Sequence, residues 1–223
     1  MPTTHSGSGG VYSVAPFLPW LELIGSPTPG SQLTFRVHAR AGAEVTLFVG
    51  RKAILVPELK LAFVPTPKVA NRSMKVAIAS HVGMSWQGDI HQAPWHYTPL
   101  ALLRDNDYYR FGFVRNPLDR LLSCYAQKIV YHQRELGMPS LLWRYGSRFD
   151  RDMSFPEFVH AVAEIPDRLA DIHFRSQHTF FYHRGQLMVD FVGRYETLQA
   201  DWDSLRERFG LPQLPHHNRS RHA

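Results

Sequence analysis

The chain has 223 residues, 44% hydrophobic and 20% charged, with a formal net charge of +6. That length and apolar content fit one domain with at most a small appendage. The single cysteine, Cys124, excludes an internal disulfide and any multi-cysteine zinc site; the positive balance favours an anionic ligand without choosing among phosphate, sulfate, an acidic sugar and nucleic acid. Residues 1–16 are rich in Gly, Ser and Thr and read as disordered. The start, Met1-Pro-Thr-Thr-His5, lacks a basic segment ahead of an apolar core, so no signal peptide is read. No apolar run approaches the ~18 residues of a membrane span. The chain is expected to be soluble and cytoplasmic.

Residues 17–58 look β-rich. Leu33–Ala39 alternates and Glu44–Val49 follows, which predicts a hairpin with Gly42 in its turn. No chemistry is visible there. Leu61–Val64 is a short apolar strand stopped by Pro65 and Pro67, and a helix is expected from near Asn71 to about Ser80. Lys68, Arg72 and Ser73 then sit on a strand-to-helix turn, where free backbone N–H groups suit a phosphate-like group. A plain connection with a solvated lysine is the competing reading. No Gly-x-x-x-x-Gly-Lys-[Ser/Thr] occurs, which disfavours a nucleoside triphosphatase.

Residues 81–106 form a loop-rich stretch with His81, His91 and His96, and a short helix over Leu100–Arg104. The stretch 107–129 reads as a strand running into a helix. Tyr108, Tyr109, Phe111, Phe113 and Val114 suit a buried strand. Asn116 offers an N-cap and Pro117 the first helical position. Leu118, Leu121, Leu122, Tyr125 and Ile129 recur on one predicted face, with Cys124 as buried filler. Arg115 is left at the carboxyl end of a strand, where ligands of open α/β sheets bind. Residues 131–153 read as loop with some helix. Ser154-Phe-Pro-Glu157 fits a capping box opening a helix with Phe155, Phe158, Val159 and Val162 on one face. Asp190–Tyr195 is another strand. Thr197 is expected to cap a helix with a Leu198, Trp202, Leu205 and Phe209 stripe, ended by Gly210. Strand–helix units at 59–80, 108–135 and 189–209 predict an α/β fold with a mainly parallel sheet flanked by helices. The expected division is 1–58, a flexible N-terminus with a β-hairpin extension, and 59–223, the main domain.

Two stretches together resemble a known family. Pro67-Lys68-Val69-Ala70-Asn71-Arg72-Ser73-Met74 resembles the 5′-phosphosulfate loop of sulfotransferases that use 3′-phosphoadenosine 5′-phosphosulfate (PAPS). Phe113-Val-Arg115-Asn-Pro-Leu-Asp-Arg120-Leu-Leu-Ser123 resembles their 3′-phosphate motif, including the interval from Arg115 to Ser123. The look is nearest to carbohydrate sulfotransferases of the chondroitin and HNK-1 type. Ser154–Phe158, Asp171–Gln177, Phe191–Glu196 and Leu214–Ser220 match in order. The phosphosulfate loop departs where Asn71 and Arg72 replace small residues, and residues 17–58 match nothing in the family. The resemblance implies a three-layer P-loop-like fold and in-line sulfuryl transfer from PAPS to a carbohydrate or other hydroxyl, with no metal required; the scattered arginines and the lack of a long apolar run are read as no nucleic-acid partner and no membrane span. It implies Lys68 at the leaving phosphate and residues 68–74 around the 5′-phosphate. Arg115 and Ser123 would hold the 3′-phosphate. Neutral pH calls for a histidine base. His96 ranks first, then His91, then His81, because the loop between the donor motifs is open to an acceptor. Glu196 is expected to pair with an arginine. The alternatives are another phosphate-binding enzyme, a basic nucleic-acid-binding module and a sulfotransferase fold without activity.

Overall fold

A computed structural model describes residues 21–24, 34–37, 52–103, 107–131, 141 and 144–215. The chain divides into two compact units, 1–51 and 52–223. In the first, β1 (Leu21–Ile24) pairs antiparallel with β2 (Thr34–Val37). The expected hairpin partner at 44–49 lies outside the described residues, as do the disordered reading of 1–16 and the Asn218 match.

The second unit holds a five-stranded sheet in the order β5-β3-β4-β6-β9. Its strands are β3 (Lys52–Val56), β4 (Leu61–Val64), β5 (Tyr97–Pro99), β6 (Tyr109–Val114) and β9 (Phe191–Arg194); β7 (Tyr182–His183) and β8 (Gln186–Leu187) make a separate small ribbon. β4, β6 and β9 run parallel, whereas β3 is antiparallel to both of its neighbours, β4 and β5. β3 therefore belongs to the main sheet rather than to an N-terminal extension ending at residue 58. Ala53, Ile54 and Val56 are fully buried between its neighbours, and the unit begins at Lys52.

Both sheet faces are covered, as the apolar strands require. On one face Phe63, Phe111 and Phe113 pack against Met74 and Ile78 of α1 (Asn71–His81) and Trp202 and Leu205 of α5 (Leu198–Phe209). Phe63 and Phe111 face each other in register with ring centroids 5.2 Å apart. On the other face Ala62 and Val64 meet Leu100, Leu103 and Phe181, the last from α4 (His178–Phe181). A third cluster lies beneath α2 (Pro117–Tyr125) and α3 (Phe155–Ala163), built on Cys124, Phe149, Phe158 and Phe174. Cys124 is fully buried and its thiol is pushed up to about 12 by burial, so it is filler. The Ser154–Glu157 capping box is formed, and Gly210 ends α5 in the left-handed conformation.

Three local expectations change. Thr197 does not cap α5 with its side chain; its hydroxyl donates to Asp201, which also accepts the Arg194 N–H. Among the described residues no arginine pairs with Glu196, which accepts the Asn116 N–H at 2.6 Å. On α2, Leu118 is 59% exposed and Leu122 39%, while Arg120 and Cys124 face inward. The predicted stripe is rotated because Arg120 has work inside. Its Nε donates to the Pro67 carbonyl at 3.0 Å, Nη1 to Arg175 at 2.9 Å and Nη2 to Ile172 at 2.9 Å. Replacing Arg120 with Met should lower the unfolding free energy in denaturant melts by on the order of 3 kcal/mol, because three carbonyls lose a charged donor. A loss below about 1 kcal/mol would contradict that role.

Gly193 stands beside Phe113 in register, and a Cβ there would lie 2.3 Å from the Phe113 ring. The ring is 1% exposed and has little room to give way. Gly193→Ala should cost about 1–3 kcal/mol by the same measurement.

Candidate active site

The first turn of the site joins β4 to α1. Pro65 and Pro67 end the strand. Lys68 and Ala70 then take left-handed backbone conformations, with φ of 69° and 49°. Such conformations cost a residue with a Cβ about 1–3 kcal/mol and concentrate at ligand clamps. They turn successive amides toward one concavity, as anion-binding nests do. α1 starts at once, with Ala70 at its N-cap and no side-chain cap or acidic residue in its first turn. Its first N–H groups and dipole face the same space. Ser73, 6% exposed, stands in that first turn. The Lys68 ammonium donates to the Gln127 side chain at 3.0 Å. Burial lowers the Lys68 pKa, and Arg115, Lys128 and Arg120 push the same way.

The second turn joins β6 to α2. The Asn116 side chain accepts the N–H groups of Leu118 and Asp119, and Pro117 opens the helix. Gln177 clamps Arg115 by its backbone: its amide group donates to the Arg115 carbonyl at 2.7 Å and its oxygen accepts the Arg115 N–H at 2.9 Å. The Arg115 guanidinium lies 4.3 Å above the Tyr195 ring, and its Nε is buried without a hydrogen-bond partner. The Asn71 side-chain oxygen is likewise buried and unpartnered. An arginine donor left unpaired in a basic cleft fits an anionic ligand group.

A cleft of about 1220 Å³ joins the two turns. Lys68, Val69, Ala70, Asn71, Arg72, Ser73, Arg115, Ser123 and His91 all line it, whereas Met74 and His96 do not. Met74 is fully buried in the core under α1. His96 immediately precedes β5, whose next residue Tyr97 lines the cleft; side chains alternate along a strand, so His96 is turned elsewhere, and its carbonyl accepts the Leu55 N–H. Arg72 lines the cleft but is held by Asp89 at 2.8 Å. His81 ends α1 away from the lining.

The cleft also gathers residues to which the sequence reading gave no part in the chemistry. Lys75, 3% exposed, donates to the Tyr97 hydroxyl at 2.9 Å and lies 5.5 Å from the Trp95 ring centroid. Burial brings the Lys75 pKa down to about 8, against an opposing pull from Asp89. The protein packed around His91, with Lys75, lowers the His91 pKa. His173 fronts the cleft with its Nδ1 2.6 Å from Asp171. Burial would raise the Asp171 pKa, but the bonds from His173 outweigh it and bring it down to about 2. The Asp-x-His spacing at 171–173 was visible in the sequence, whereas its position opposite the donor turns was not. Among the described residues, Lys68, Arg72, Lys75 and Arg115 line the cleft against a single lining carboxylate, Asp89. The space is therefore suited to anions.

Comparison with known proteins agrees with this geometry. The family model described as "Sulfotransferase family" matches residues 51–223. Carbohydrate sulfotransferase 14 of Homo sapiens is 30% identical, over 74% of this chain and 48% of its own length. The Danio rerio protein of that name is also 30% identical, over 70% and 47%. Carbohydrate sulfotransferase 10 of Rattus norvegicus is 25% identical, over 89% and 62%. The chain spans about half the length of the first of these relatives. No solved structure matches. With the family match covering both strand-to-helix turns and the cleft between them, the chain belongs to the sulfotransferase family.

Proposed function

We propose that the chain transfers a sulfuryl group from PAPS to a hydroxyl of a carbohydrate. The observation that carries this reading is the pairing of two anion-accepting turns across one cleft: the uncapped α1 N-terminus, and Arg115 with its unpartnered Nε. Family membership and the names of the relatives support the donor and the acceptor class.

The donor supplies an activated sulfuryl group on a phosphate leaving group. Amides 69–73 and the Ser73 hydroxyl are placed to bind its 5′-phosphate end. Lys68 is placed to neutralise charge as the leaving phosphate forms. Arg115 and Ser123 are placed to bind the 3′-phosphate with charge-assisted bonds. Tyr195, stacked on the Arg115 guanidinium, keeps that group from wandering. Arg72 contributes through its pairing with Asp89, which leaves the direct phosphate contact to amides and hydroxyl. Binding both donor ends fixes the reacting bond relative to the acceptor, which is where most of the rate in such a transfer comes from.

Titration with 3′,5′-adenosine bisphosphate tests the donor site. Arg115→Ala should weaken binding about 10–100-fold, matching the loss of roughly 1.5–3 kcal/mol from a charged hydrogen bond. Lys68→Ala should abolish most turnover of PAPS while retaining much of that affinity. Unchanged turnover in Lys68→Ala would contradict its role at the leaving phosphate.

A further inference from the structure

Sulfuryl transfer leaves a proton on the attacking oxygen that some group must take. Among the described residues, two histidines front the cleft, His91 and His173. Their surroundings differ. His91 stands near Lys75 and Arg72, cations that oppose a positive charge on its ring, and the nearby Asp89 is already paired with Arg72. His173 has a carboxylate of its own. Asp171 Oδ1 accepts from both the His173 backbone N–H, at 2.9 Å, and the ring Nδ1, at 2.6 Å. That second bond assigns the proton to Nδ1 and leaves Nε2 as the acceptor atom. It also places an anion where positive charge would develop on the ring during proton transfer.

The backbone around the pair is fixed. Arg120 holds the carbonyls of Ile172 and Arg175 on either side of His173, and Phe174 is buried in the core beneath. The same Arg120 holds Pro67, one residue before Lys68. The dyad and the phosphosulfate turn therefore share one anchor.

We propose that His173, oriented by Asp171, is the base that accepts the proton of the acceptor hydroxyl. This rests on the sulfuryl-transfer reading above. The acceptor O–H proton passes to His173 Nε2 as the acceptor oxygen bonds to sulfur. The bond from sulfur to the 5′-phosphate oxygen breaks, and its electron pair stays on that phosphate beside Lys68. His173 touches the reacting hydroxyl, and Asp171 is a positioning residue that acts through it. The groups facing the dyad are Arg120, Lys128, Arg144, Tyr145 and Arg175, with His91 in the same cleft. The base accepts a proton only when its ring is neutral, so acidification should lower kcat/KM.

The test compares wild type, His173→Gln, His173→Ala, Asp171→Asn and His91→Gln. The readouts are release of 3′,5′-adenosine bisphosphate from PAPS, with desulfated chondroitin or with water alone as acceptor, and calorimetric affinity for that bisphosphate. His173→Gln should lose about 100-fold or more in kcat with KM for PAPS and bisphosphate affinity unchanged. Its remaining activity should lack the acid limb. Asp171→Asn should lower kcat with the same affinity, and imidazole should partly rescue His173→Ala. Wild-type kcat in His173→Gln, or the large loss appearing in His91→Gln instead, overturns the proposal. Loss of bisphosphate binding in His173→Gln also overturns it, since the residue would then serve donor binding or folding. A wild type that neither binds the bisphosphate nor cleaves PAPS overturns the sulfuryl-transfer reading itself.

Discussion

One buried guanidinium holds the site together. Arg120, 4% exposed, spends Nε, Nη1 and Nη2 on the carbonyls of Pro67, Arg175 and Ile172. Removing a charge from water is costly unless its donors are satisfied, and each of these three nitrogens has a partner. The bonds tie α2 to the start of the turn between β4 and α1 and to the strap at 171–177. That strap in turn clamps Arg115 through Gln177 and presents His173 to the cleft. Three pieces of chain far apart in sequence are thus fixed relative to one another by one residue that does not itself line the cleft.

Around this anchor the sheet does ordinary work. Parallel strands β4 and β6 bring two helix starts to the same end of the sheet, where N–H groups and dipoles add. The left-handed backbone at Lys68 and Ala70 is stored strain that the flanking strand and helix over-determine. The cleft's cations, with Lys75 desolvated among them, give it a field for anions that a lone surface lysine could not.

Much of this was legible in the residues, for local reasons. Asn116-Pro117 and Ser154-Phe-Pro-Glu157 carry their structures in their own capping chemistry. Phe111 and Phe113 could only be strand. What was not legible depends on partners remote in sequence. The α2 stripe was read as Leu118 and Leu122, because nothing local says that Arg120 would turn inward to meet Pro67, Ile172 and Arg175. β3 looked like part of an extension, because its antiparallel pairing with β5 comes from the loop 81–106. His96 is turned from the cleft by its alternation with Tyr97, which needs the register of β5, whereas His91 sits on a short turn that fronts it. Met74 sits in the resembling motif but helix geometry turns it into the core. His173 lay within a matching stretch but not among the candidate bases, since only the fold shows that it faces Lys68's cleft.

The central claim is that the two strand-to-helix turns hold the two phosphate ends of one nucleotide. A crystal structure with 3′,5′-adenosine bisphosphate tests it most directly. The account predicts the 5′-phosphate on the amides that open α1, beside Lys68 and Ser73, and the 3′-phosphate on Arg115 and Ser123. A nucleotide bound elsewhere, or none bound at saturating concentration, would contradict it.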